Sequence, residues 1–180
     1  MTKKTDGEQT IVFTIGHSTR PIQEFIDLMK ASQIELVIDV RTIPKSRHNP
    51  QFNTNELARS LETSRISYMH MPGLGGLRRP SKYSINQGWR NASFRGFADY
   101  MQTREFDDNI HELIQFSARQ NTAIMCAEAV PWRCHRSLIA DTLFVRGVRP
   151  VHILSQNSLQ IHALTPWARV EGCRIIYPKT

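Results

Sequence analysis

Apolar residues along this chain fall into two kinds of run that take turns. Ile11-Val12-Phe13-Thr14-Ile15 is short, rich in β-branched residues and stopped by Gly16, which predicts a first β-strand. After it Ile22, Phe25, Ile26 and Met29 recur at i, i+3, i+4 and i+7, the period of an amphipathic helix. Between the two, Thr19 and Pro21 suit the start of that helix. Glu35 to Arg41 reads as a second strand ending on charged residues. Asn53 and Glu56 have the spacing of a capping box ahead of a helix that buries Leu57 and Leu61. Ile66 to Met71 predicts a third strand, ended by Pro72, and no period is visible from there to about Ala92. Two helices follow, with core-facing stripes at Phe94, Phe97, Ala98, Met101 and at Phe106, Ile110, Leu113, Ile114, Ala118. Thr122 to Cys126 has the continuous apolar character of a strand buried on both faces; a helix to about Arg146 and a fifth strand over Val148 to Ile153 complete the series.

Strands separated by helices predict an α/β fold, in a single domain with a mostly parallel sheet of about five strands and helices on both faces. The length of 180 residues suits one domain. The expected division is a disordered tail over residues 1–10 and one α/β domain over 11–180. Residues 159–180 are ambiguous, and Cys173-Arg174-Ile175-Ile176-Tyr177 reads as an added edge strand.

Charge narrows the partners. Lys and Arg number 23 against 16 for Asp and Glu, a net +7, which favours an anionic small molecule or nucleic acid. No stretch is long and apolar enough to cross a membrane, so no membrane partner is expected, and Met1 to Thr10 lacks the apolar core of a signal peptide. The expectation is a cytoplasmic protein. Three cysteines, an odd number, do not suggest a disulfide framework. Composition names no cofactor and no oligomeric state.

The candidate chemistry is densest from Cys126 to Arg136, where two thiols, a carboxylate, an imidazole and two guanidiniums follow a predicted strand end, the usual place for a site in an open α/β sheet. Cys134 and His135 could instead extend the buried apolar stripe at Leu138 and Ile139, free cysteine being commonly a small buried hydrophobe. Cys126, Glu128, Cys134 and His135 are the catalytic candidates, Glu128 as general acid or base and a cysteine as nucleophile or substrate contact. His17, in the loop after the first strand, is a further candidate base. Ser18, Arg20, Asp39, Arg41, Arg47, Gly75, Gly76, Arg78 and Arg136 are the substrate-binding candidates, the arginines as anion clamps and the glycines as places where backbone could approach a phosphate.

Together Gly16-His17-Ser18, Asp39-Val40-Arg41 with Pro44 and Ser46, Leu74-Gly75-Gly76 with Arg78, Cys126-Ala127-Glu128 and Cys134-His135-Arg136 resemble the domain of unknown function 488 family. The resemblance spans about Ile11 to Ile153 and implies an α/β fold with its site at these motifs, without supplying a reaction. Val37 to Arg41 is also similar to a segment of rhodanese-like sulfurtransferases. Their anion cradle runs from the cysteine to an Arg five or six residues on, where this chain has Pro131 and Trp132, which argues against a true rhodanese or tyrosine phosphatase.

The leading expectation is an enzyme acting on an anionic, nucleotide-like or nucleic-acid-derived substrate. One alternative is a non-catalytic nucleic-acid binder that stacks bases on Trp89 or Trp132. Another is a metal on Cys126, Cys134 and His135, with His17 as a fourth ligand; Cys-x7-Cys-His is not a standard finger spacing, so no metal ligand is assigned.

Overall fold

A computed structural model describes residues 9–179. Of the tail expected over 1–10, residues 1–8 lie outside the described residues. Thr10 O accepts from Arg149 N, and Gln9 Nε2 donates to Gly147 O.

The main sheet has six strands: β1 (Ile11–Gly16), β2 (Leu36–Asp39), β3 (Ser67–His70), β4 (Thr122–Cys126), β5 (Arg149–Ser155) and β6 (Ser158–Ile161). Their order is β3-β2-β4-β1-β5-β6. The first five are parallel, and only β6 runs antiparallel, against β5. Five helices flank the sheet: α1 (Ile22–Ala31), α2 (Thr54–Thr63), α3 (Ala92–Tyr100), α4 (Arg104–Arg119) and α5 (Arg136–Val145). Side chains alternate across each strand, so one core packs Ile15, Val37, Ala123 and Met125 against Phe25, Met29, Leu57 and Leu61 of α1 and α2. The opposite core packs Val12, Leu36, Ile38 and Ile124 against Phe97, Ile110, Leu113, Leu138 and Leu143 of α3, α4 and α5. This is the expected α/β architecture, with both faces of the sheet covered.

Three local expectations are corrected. Asn53 is the N-cap of α2, but its side chain makes no cap bond; its Oδ1 accepts from Ser46 N at 2.7 Å and fastens the loop after β2 instead. Thr19 caps nothing, because Pro21 is the N-cap residue of α1. The Cys173 to Tyr177 segment is not an edge of the main sheet: β7 (Arg169–Glu171) and β8 (Arg174–Ile176) form a separate hairpin. Ile175 and Tyr177 from that segment are buried in the core beside α3 to α5. The edges of the main sheet are β3 and β6, and all four residues of β6 are exposed.

Parallel strands put their C-terminal ends on one side. Gly16 stands beside Cys126, and Asp39 beside Met125. Hydrogen bonds continue past the strand ends, from His17 N to Cys126 O at 2.8 Å, Ser18 N to Ala127 O at 2.9 Å and Val40 N to Met125 O at 2.9 Å. Three loops from distant parts of the sequence are thereby locked around the end of β4.

Candidate active site

A cleft of about 700 Å³ opens over the ends of β1, β4 and β2, the position expected of an open α/β sheet. Its walls include His17 and Ser18 after β1, Arg41 to Ile43 after β2, Gly76 and Leu77 after β3, and Cys126 to Ala129 after β4. Arg133, Cys134 and His135 close the circuit. Gly16 makes the junction possible: a Cβ there would lie 1.8 Å from Glu128 O, so the strand end and the Cys126 loop touch backbone to backbone.

Cys126, Cys134 and His135 meet at the floor, their ligand-type atoms all within 4.8 Å of one another. His135 Nδ1 lies 4.0 Å from Cys126 Sγ and 3.7 Å from Cys134 Sγ. Its Nε2 donates to Val40 O at 3.1 Å, which fixes the ring and, in the neutral imidazole, leaves the Nδ1 lone pair toward the sulfurs. Cys134 is not helical as the sequence suggested. It has extended backbone after a short 3-10 turn at Pro131–Arg133, and the chain bends to helical at His135, the N-cap of α5. Gly76 packs on the ring, where a Cβ would come within 2.5 Å of Nδ1. The glycine therefore bears on His135 from the side of the cleft.

The two thiols share a proton unequally. The Cys126 thiol donates to Cys134, which holds Cys134 well below the usual thiol range against the opposing effect of burial, with His135 and Arg136 adding to the lowering. The same pairing, together with burial, pushes Cys126 well up.

Arg136 is a support and not a clamp. Its guanidinium is fully buried and donates to Cys134 Sγ at 3.4 Å, to Thr14 Oγ1 at 3.2 Å and to the Glu128 carbonyl. Behind it a buried polar chain crosses the sheet. Thr14 Oγ1 meets His152 Nδ1 at 2.7 Å, His152 Nε2 meets His162 Nδ1 at 3.0 Å, and His162 Nε2 meets Asp141 Oδ1 at 2.8 Å. Asp141 also accepts from the Thr165 and Tyr177 hydroxyls, both at 2.7 Å. With Thr165 N, four groups converge on this one carboxylate and orient the whole chain. Burial pushes His152 down to about 4.

Other expected site residues are also turned inward. Asp39 and Arg41 form a buried pair with Nη2 to Oδ2 at 2.6 Å, and Tyr68 donates to the same carboxylate. Arg41 further donates to Phe52 O and to His17 Nε2, so Asp39 lies behind the cleft wall and orients Arg41 instead of meeting a ligand. His17 lines the cleft with both ring nitrogens engaged, Nε2 by Arg41 and Nδ1 by Ser18 O, while its ring stacks on Phe52. Burial pushes it down to about 4. It offers no open lone pair for a base or a fourth metal ligand. Arg20 binds the Gly16 and Leu154 carbonyls, tying β1 to β5. Arg78 lies over the Tyr100 ring at 3.6 Å and donates to Gly73 O and Gly75 O, so of His17, Asp39, Arg78 and Glu128 only His17 and Glu128 line the cleft. Gly75 packs against Thr42 instead of facing the cleft, and Arg47 is exposed outside its lining. Each inward guanidinium found carbonyl or carboxylate acceptors close by, which a sequence does not display.

Ser18, Arg41, Gly76, Cys126, Glu128, Cys134 and His135 do reach the cleft. Asn91 and Ser93 line it too and were not singled out; Lys45 lines it as well, and so does Arg133, one of the two guanidiniums of the Cys126 to Arg136 cluster. Trp89 is packed against Phe94, Trp167 and Tyr177, while Trp132 is 63% exposed. Of the two tryptophans considered for base stacking, Trp132 is the one that stands out from the surface.

A family model described as a domain of unknown function, DUF488, matches residues 21–143. The match takes in β2 to β4 and the Cys126 to Arg136 stretch, and leaves out Gly16-His17-Ser18 and β5. No curated protein and no solved structure matches the chain. Among the described residues no helix is long and apolar enough to cross a membrane.

Proposed function

The chain belongs to the DUF488 family, a membership that names no reaction, and from its cleft we propose an enzyme that acts on an anionic small molecule, a nucleotide or another phosphate-bearing metabolite. The observation that carries this reading is the convergence of Cys126, Cys134 and His135 on the floor of the cleft that Glu128 also lines. A surface used only for binding has no need of two thiols, an imidazole and a carboxylate in one concavity. The volume of about 700 Å³ falls in the range of small-molecule sites and suits one nucleotide better than a polymer groove.

Roles follow from placement. Glu128 is exposed, with Oε1 accepting from Val130 N at 3.3 Å, and it is the group that exchanges a proton with the substrate. Lys45 and Arg133 line the cleft, are exposed and offset the charge of the anion. Ser18 contributes its hydroxyl. Its φ of 51° places it in the left-handed region, at the bend that turns the chain out of β1 toward the Cys126 loop. Arg136, His17, Asp39 and Arg41 hold the walls.

The test is a turnover screen with phosphate-bearing metabolites followed by mass spectrometry. Glu128→Gln should lower turnover by roughly 10²- to 10⁴-fold while binding persists. Arg133→Ala should weaken binding and flatten its dependence on salt. Full activity in Glu128→Gln would sink the proposal, and tight, salt-steep binding of nucleic acid with no turnover of any small anion would replace it with the binding-protein reading.

A further inference from the structure

We propose that Cys126, Cys134 and His135 form a Cys2His site for a divalent cation of the zinc class, with its fourth coordination position open to the cleft. The assignment rests on ligand geometry alone and stands whether or not Glu128 turns over a substrate. Zinc bonds of about 2.3 Å to sulfur and 2.0 to 2.1 Å to nitrogen, at tetrahedral angles, separate ligand atoms by roughly 3.5 to 3.8 Å. His135 Nδ1 already stands 3.7 and 4.0 Å from the two sulfurs. The three ligand atoms lie within 4.8 Å of one another, so closing on an ion takes side-chain shifts of about 1 Å or less.

The surroundings are those of a metal site. A metal-ligating histidine characteristically donates its remote ring nitrogen to a carbonyl or carboxylate, and His135 Nε2 donates to Val40 O at 3.1 Å. That bond presents Nδ1, the nitrogen facing the sulfurs, as the free lone pair. Arg136 Nε donates to Cys134 Sγ at 3.4 Å, the kind of outer hydrogen bond that orients a ligating thiolate. Adjacent residues on one helical turn point apart, which would be an obstacle to this pair of ligands. The change from extended backbone at Cys134 to helical backbone at His135 removes it.

Two thiolates and an imidazole select zinc and similar borderline-soft ions over magnesium or calcium, whose preferred ligands are oxygens. Three protein ligands, all reaching the cleft, describe a site that keeps one position for water or a substrate anion. Two sulfur charges against the cation leave the site near neutral, so an incoming anion meets little repulsion.

The experiment uses the full chain, reduced and stripped with a chelator, then titrated with Zn²⁺ and with Co²⁺. One equivalent should bind. The cobalt form should show a thiolate-to-metal charge-transfer band in the near ultraviolet and the intense visible bands of four-coordinate geometry. Cys126→Ser and His135→Asn should each weaken binding by more than about 100-fold, since outer-sphere changes alone cost 10- to 100-fold. Cys173→Ser, which alters the exposed third cysteine, should leave the stoichiometry at one. Cys134 is buried, so circular dichroism must first show that Cys134→Ser folds; Cys126→Ser and His135→Asn decide the matter if it does not. Glu128→Gln should keep the cobalt spectrum and metal affinity while removing turnover, which separates failure of the metal site from failure of the enzyme reading. Absence of a thiolate band in the reduced protein, or an unchanged band in Cys126→Ser, would overturn the assignment.

Discussion

Lowering the pH from 7.5 to about 4.5 should strip the fold of a large share of its stability through two histidines. His17 and His152 are only 2% and 4% exposed, and burial pushes both from 6.5 down to about 4. The sign is fixed by which state takes the proton. Below pH 6.5 the unfolded chain protonates these rings and the folded chain does not, so stability is fully present above that value and is lost as pH falls toward 4. At about 1.4 kcal/mol per unit, a depression of this size is worth about 3 kcal/mol per histidine, and somewhat over 2 of that has gone by about pH 4.5. The pair together is comparable with half the stability of an ordinary domain, about 5 to 15 kcal/mol. Urea unfolding followed by tryptophan fluorescence at several pH values measures the slope. His152→Gln cannot take a proton and should remove roughly half of it, at the cost of a lower but flatter stability curve. A stability independent of pH between about 6.5 and 4.5, or an undiminished slope in His152→Gln, would refute the argument.

Three further outcomes follow from the inward-facing groups. Asp39→Asn leaves Arg41 buried without its anion and should cost about 3 to 5 kcal/mol in urea unfolding, far more than loss of an exposed pair such as Arg59 with Glu56. Gly16→Ala drives a Cβ into the Glu128 carbonyl and should cost about 1 to 3 kcal/mol, with amide shifts in the NMR spectrum concentrated at residues 126–129. Gly76→Ala presses on the His135 ring and should lower cobalt affinity with little change in unfolding midpoint, a combination a purely structural glycine would not give.

The alternation of strand and helix periods was enough to read the parallel sheet and its two covered faces, because the strands at its centre are largely apolar. The density of reactive side chains after Thr122 to Cys126 located the cleft for the same reason: a strand end has only one side on which to present them. What stayed hidden was direction. Arg20, Arg78 and Arg136 look like ligand clamps until the carbonyls of Gly16, Gly73 and Glu128 appear beside them. β6 alternates Leu159 and Ile161 with polar residues over only four positions, all of them exposed, and the capping spacing of Asn53 was diverted by Ser46. The polar chain through His152, His162 and Asp141 left a fainter trace: Asp141 and His152 are polar positions inside otherwise apolar runs, which marks them as paired before the partner is known.

The claim that the cleft over β1, β4 and β2 receives an anionic ligand is tested most directly by titrating the isotopically labelled chain with nucleoside monophosphates and inorganic phosphate while following backbone amides. The account predicts the largest, saturable shifts at Ser18, Ala127, Glu128 and Arg133, all lining the cleft, and their loss in Arg133→Ala. Shifts centred on Arg47 or on the β7–β8 hairpin, or none with any of these anions, would contradict it.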